Sequence, residues 1–196
     1  MNGPESACAP QAGRTAGPGA CRPAAFRVRL ARAEDLKALL VLYERARAFM
    51  AAAGNPGQWV NGYPGPDVLA AGIAAHCHYV LEDGAGALAA SFCFAYGSAP
   101  EPSYGRIDGA WLRNGPYGVL HRIAAARPGA GAAGACIAWC WAHSGGDLRA
   151  DTHEKNLPMQ RTLEKAGFVR CGTIRLADGS PRWAYQKLAR PAGPMV

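Results

Sequence analysis

The chain has 196 residues, 49% of them hydrophobic and 18% charged, and a formal net charge of +7. That is enough for one compact domain with a buried core. No apolar run approaches the roughly 20 residues that span a bilayer, and the N-terminal stretch lacks the apolar centre of a secretory signal, so a cytoplasmic protein with no membrane partner is expected. The positive charge is spread along the chain without a basic run interleaved with aromatics, which disfavours nucleic acid and suits a polyanionic small ligand equally well. Seven cysteines without a C-x-x-C pair suggest neither a disulfide framework nor a zinc ribbon. His76-Cys77-His78 lacks the spaced pairs of a structural zinc site, so no metal is expected.

Met1 to Ala25 is rich in Ala, Gly and Pro and reads as a disordered tail. Phe26 to Leu30 alternates as a short strand, and Leu36, Leu39, Leu40, Tyr43 and Met50 then recur at helical spacing, up to a stop near Gly54 and Pro56. The loop Gln58-Trp59-Val60-Asn61-Gly62-Tyr63-Pro64 follows, and Pro66 can open a second helix as a first-turn proline. His78 to Glu82 and Ala87 to Tyr96, joined through Asp83-Gly84, read as an antiparallel hairpin, and Tyr117 to Ala124 as a third strand. The run Arg127-Pro128-Gly129-Ala130-Gly131-Ala132-Ala133-Gly134 leads into a helix whose Ala133, Cys136, Ile137, Cys140 and Trp141 mark a buried face. Leu148 to Thr152 is a strand and Pro158 to Ala166 a short helix with Met159, Leu163 and Ala166 inward, stopped at Gly167. Val169 to Leu176 and Arg182 to Leu188, linked by Asp178-Gly179-Ser180, close the chain as a second hairpin.

This order predicts an α/β (α+β) fold with a mixed, mainly antiparallel central sheet of about six to seven strands flanked by about four helices. The domain is expected over 26–188, with a short flexible tail over 189–196.

The strand, Gly-rich turn and helix around Gly129 to Gly134 point several backbone N–H groups and the positive end of the helix dipole at one place, a site for an anion. Small residues serve there because a larger side chain would hold a phosphate away from the amides. No Gly-Lys-Ser/Thr follows the glycines, so this is not a phosphate loop. The turn also falls too late in the chain for a first Rossmann unit.

Gly131-Ala132-Ala133 after Tyr117 to Ala124 resembles the G-x-G/A pyrophosphate signature of the GNAT acetyltransferases. Asp151 to Gln160 followed by Leu163-Glu164-Lys165-Ala166-Gly167-Phe168 resembles that family's second motif, where Asn starts a helix and Glu-Lys-x-Gly-Phe ends it. The strings Q-W-x-N-G-Y-P, H-R-I-A, D-T-H-x-x-N-x-x-M-Q and A-Y-Q-K, all present between Trp59 and Lys187 or beside them, resemble a bacterial GNAT subgroup.

The resemblance implies a GNAT-like fold and an enzyme that transfers an acetyl group from acetyl-CoA to a small-molecule or peptide amine, directly and sequentially. It assigns the pantetheine arm to the main chain of Ile123, Ala124 and Ala125. The pyrophosphate falls to the amides of Gly129, Gly131, Ala132, Ala133 and Gly134, with Arg127 adding charge, although Pro128 replaces the usual Gln or Arg. Asn156 would bond the pantetheine, cap its own helix, or both. Trp59, Asn61 and Tyr63 would line the acceptor pocket, or anchor their loop to the core; Tyr104 and Trp111 would border the same cleft.

His121 is the first candidate base, because its reference pKa is near neutrality and strand alternation would group it with Tyr117, Val119 and Ile123 beside the thioester. His153 is the second, and Asp151 could orient either ring; a structural histidine is the alternative for each. The tyrosine that the family often places before Glu-Lys-x-Gly-Phe, as the acid for the thiolate, is Leu163 here. That substitution motivates the alternative of a non-catalytic acyl-CoA-binding or sensing module. Cys93, Cys136 and Cys171 read as core residues rather than as acyl carriers. A homodimer through an edge strand is compatible with such a fold.

Overall fold

A computed structural model describes residues 26–189. The tails expected over 1–25 and, but for Ala189, over 189–196 lie outside them. The elements are β1 (Arg27–Leu30), α1 (Leu36–Ala52), α2 (Pro66–Ala74), β2 (His78–Glu82), β3 (Leu88–Gly97), β4 (Ile107–Gly109), β5 (Tyr117–Ala125), α3 (Ala132–Ala142), β6 (Asp147–Thr152), α4 (Leu157–Lys165), β7 (Val169–Arg175) and β8 (Pro181–Leu188). Among the described residues the strands form one eight-stranded sheet in the order β1-β2-β3-β5-β6-β8-β7-β4. The fold class is therefore α/β with a mainly antiparallel sheet and four helices, one strand beyond the expected number.

That extra strand, β4, pairs with β7 at the sheet edge. Ile-Asp-Gly carries no alternation to betray it. Its pairing relies on Gly109 facing Gly172, where a Cβ on either residue would collide with the backbone opposite.

Two layers of helix cover the sheet. On one face Cys136, Ile137 and Cys140 of α3 and Leu163 of α4 pack with Phe92, Leu120, Leu148 and Tyr185. On the other, Leu39, Leu42 and Tyr43 of α1 and Leu69 of α2 pack with Val80 and Ala124. A third cluster, Tyr104, Tyr117, Val119, Ile174 and Ala184, lies under the excursion that carries β4.

One junction in the sheet positions everything functional. β5 and β6 are parallel and pair only over Gly118–Leu120 with Leu148–Ala150, although β5 runs on to Ala125 and β6 to Thr152. Beyond those rungs the two strand ends part, leaving backbone groups and side chains facing a gap. β5 is also bulged there: Arg122 has φ +55° and the register against β3 shifts between Ser91 and Cys93. The bulge breaks the alternation expected from sequence. Tyr117 and Val119 belong to the third cluster, but Ile123 packs with the α3 face. Buried Tyr43 of α1 pins the bulge by donating its hydroxyl hydrogen to the Arg122 carbonyl at 2.8 Å.

Candidate active site

The gap opens into two cavities that share Met50, Trp59, Ile123, Asn156 and Met159. The first, about 930 Å³, runs past Ala124 and Ala125 to Arg127, Gly129, Gly131, Ala132, Ala133 and Gly134. Gly129 (φ +84°) and Gly131 (φ +85°) hold the left-handed turn that points the start of α3 into this cavity. Gly131 is the N-cap and offers no side-chain cap, and the first helical bond runs from Ala135 N–H to the Gly131 carbonyl. The amides of Ala132, Ala133 and Gly134 thus precede the hydrogen-bonded ladder and lie at the positive end of the helix. Lys165, Lys187 and Arg161 also line this cavity. All the cofactor residues expected from sequence are brought together here.

The second cavity, about 630 Å³, is lined by Trp59, Asn61 and Tyr63 as expected, and also by Glu101, His121, Arg122, Asp151, Thr152, Leu163 and Arg182. Trp59 lines this cavity and also anchors its loop, packing edge-to-face on Tyr43 with ring centroids 5.5 Å apart. Tyr63 accepts a hydrogen bond from Arg122 Nε at 2.6 Å.

His121 stands between two carboxylates, with Nδ1 3.4 Å from Asp151 Oδ1 and Nε2 3.3 Å from Glu101 Oε2. Burial alone would disfavour the imidazolium, but Asp151 and Glu101 outweigh it and raise the His121 pKa to about 9. The same pairing, reinforced by Ser103, lowers Glu101 to about 2. Tyr104 does not border the cavity. It is buried behind it and donates to Asp151 Oδ1 at 2.8 Å, while Trp111 donates to the Tyr104 carbonyl at 3.0 Å.

His153 lines neither cavity. Its Nδ1 accepts the Lys155 N–H at 3.1 Å, and burial, then Arg182, lower its pKa, so Asp151 orients His121 and not this ring. Asn156 is the N-cap of α4, accepting from Met159 N–H at 3.2 Å and donating to Gln58 Oε1 at 2.7 Å while facing both cavities. No described cysteine lines either cavity. Cys77, whose thiol is lowered to about 6 chiefly by its hydrogen bond with Cys93, is among those outside both.

Sequence reasoning missed Glu101, Arg122, Thr152 and Arg182. Glu101 had one local signal, an acid before Pro-Ser that caps a short turn by accepting from Ser103 N–H. The other three become visible only when the strand ends part.

No protein-family model matches the chain, and no curated protein matches it. Solved structures do. A GNAT-family acetyltransferase from Streptococcus agalactiae 2603 is 34% identical over 84% of this chain and 96% of that one, with a TM-score of 0.75. The chain belongs to the GNAT acetyltransferase family. A GNAT-family acetyltransferase from Listeria monocytogenes 4b F2365 shares the fold at 22% identity, covering 84% of this chain and 95% of that one with a TM-score of 0.61. A Salmonella typhimurium protein solved with its cofactor acetyl-CoA shares it at 17% identity, covering 86% and 97% with a TM-score of 0.54. In this GNAT chain the two adjoining cavities meet at the parted strand ends, and the uncapped start of α3 opens into one of them.

Proposed function

We propose that the protein is an N-acyltransferase that binds acetyl-CoA in the larger cavity and an amine in the smaller one, and transfers the acetyl group directly between them. The observation that carries this reading is the junction. The cavity floored by the amides of Gly131 to Gly134 and the cavity holding His121 meet at Ile123 and Asn156. A ternary complex placing sulfur and amine at attack distance needs that arrangement. Acetyl-CoA is the donor because the larger cavity offers helix-start amides with Lys165, Lys187, Arg127 and Arg161 for phosphates, and unpaired β5 backbone for the pantetheine amides.

In the transfer, the amine nitrogen bonds to the acetyl carbon, the carbon–sulfur bond breaks, and its electron pair leaves on sulfur. Of the two protons an ammonium gives up, one passes to neutral His121 and on to water. The other ends on the CoA thiolate. Asp151 and Glu101 set His121 in place and make it a base matched to an amine, at the cost of a small neutral fraction at neutral pH.

Titration calorimetry with acetyl-CoA tests the reading. The parent should bind. Gly131→Asp should not, while Gly131→Asn, of nearly the same shape and able to adopt the left-handed turn, should retain most of the affinity. A folded parent that ignores acetyl-CoA would sink the proposal. Binding without turnover on any amine would instead favour the acyl-CoA-sensing module, for which buried Leu163 in the cavity wall is the motivating observation.

A further inference from the structure

The charges of the smaller cavity are divided into two poles. At one, His121 lies between Glu101 and Asp151, so even a protonated ring leaves the trio with net negative charge. At the other, two arginines face the cavity and, among the described residues, neither is in a salt bridge. Arg182 is only 6% exposed, and its recorded partners are two backbone carbonyls, Pro181 at 2.8 Å and Gln58 at 3.3 Å. Arg122 donates to the Tyr63 hydroxyl and, at 3.5 Å, to Cys93 Sγ. Among the described residues neither guanidinium has an acidic side chain within salt-bridge distance. The third acid of the lining, Asp178, is exposed, accepts from Ser180 N–H and Oγ, and acts on Arg182 only through space, without a salt bridge.

A buried guanidinium served by two carbonyls has donors to spare, and such an arrangement is costly unless an anion completes it. Beside it stands a second incomplete group. Thr152, paired across the ladder with Trp183, the neighbour of Arg182, is fully buried, lines the same cavity, and its hydroxyl has no partner. An acceptor that was only an amine would satisfy the His121 pole and leave Arg122, Arg182 and Thr152 unmatched.

From these two poles we infer that the acceptor is a free amino acid or an amino-acid-like zwitterion, its amine directed to the Glu101–His121–Asp151 pole and its carboxylate to Arg182 and Arg122, with Thr152 adding a hydroxyl. The inference rests on the acyltransferase reading and narrows it. Guanidinium groups present paired donors that match a carboxylate. A cavity of about 630 Å³ suits a small molecule. Trp59, Val60, Val68 and Met50 leave the side chain of the acceptor an apolar wall. A polyamine, or a protein lysine, brings no carboxylate to the arginine pole.

The test sets each common amino acid beside its carboxamide and beside the amine left when hydrogen replaces the carboxyl group. Thiol release from acetyl-CoA and the melting temperature of the full-length protein, loaded and unloaded, are the readouts. At least one acid should be acetylated with kcat/KM about 100-fold above its carboxamide, since a charge-assisted contact is lost. Arg182→Met should bring that ratio toward one, and Arg182→Lys should restore part of it. If the Arg182 variants do not melt cooperatively, Arg122→Gln carries the same comparison. Carboxamides or plain amines used as well as the acids would overturn the inference, as would a panel in which no acid is acetylated or raises the melting temperature. Failure of the underlying reading is distinct: it appears as absent acetyl-CoA binding by the parent, and the unloaded melting arm still decides between acid and carboxamide.

Discussion

The two cavities meet at the same strand ends but are made of different material. The larger one is bounded on one side by the stretch from Ile123 to Ala138, rich in glycine and alanine, and on the others by α1 residues such as Arg45 and Phe49 and by α4. The smaller is made of side chains from separated segments: the Gln58 to Tyr63 loop, Glu101, the β5 bulge, the end of β6 and the start of β8. The difference teaches what each side can tolerate. A backbone site reads whether a Cβ or a charge intrudes and is indifferent to most other chemistry, whereas a side-chain site depends on protonation and on every partner that fixes a rotamer.

The largest expected effect lies on the side-chain half. His121→Ala should lower kcat by about 100- to 10,000-fold while the acetyl-CoA dissociation constant, read by calorimetry, stays within about twofold, because the ring belongs to the other cavity. The mirror experiment is Gly131→Asp, which should weaken acetyl-CoA binding by about 100-fold or more through an uncompensated charge at the phosphate site. If both variants damaged both properties equally, the division between the halves would be void.

Acidity sharpens the contrast. With His121 held at about 9, kcat should climb with pH and level off above that value, and Glu101→Gln should move the limb to lower pH by removing one of two stabilising carboxylates. Stability runs the other way. A folded pKa above the free value of 6.5 means that the His121 ion pairs contribute fully below about 6.5 and are lost as pH rises through about 9. Glu101 is lowered, so its contribution is present above 4.5 and lost as pH falls toward about 2. Melting curves of the parent and His121→Ala across that range should converge at the alkaline end. The smallest effect is expected from Asn156→Ala, a loss of about 1 kcal/mol of stability from the missing cap, measured by urea unfolding.

Much of the fold was legible because its elements carry strong local patterns. The apolar spacing of Leu39 to Met50, the Pro66 helix start, the Asp83 and Asp178 turns and the Gly167 stop all fall where the structure has them. β4 was not, since three residues at an edge are held by the backbone approach of Gly109 and Gly172 rather than by a hydrophobic period. The glycine-turn side of the candidate site was legible for the same reason as the helices: glycines, turn and helix start are contiguous. The lining of the smaller cavity was half legible. Trp59, Asn61, Tyr63 and His121 stood out by residue type, but His153, equally plausible by type, turned out to accept the Lys155 amide outside both cavities.

By itself the sequence determined the strand and helix order and the glycine turn before α3, because each depends on neighbours within a few residues. Through quoted motifs it also pointed to the family. Only the tertiary structure decided the chemistry of the smaller cavity. The bulge at Arg122 reverses the alternation past His121, and Glu101 reaches that ring from a loop 20 residues earlier in the chain. Arg182 arrives from the start of β8 with no salt-bridge partner among the described residues. Protonation and charge balance are set by through-space partners, and no local pattern in a chain encodes which distant side chains will share one cavity.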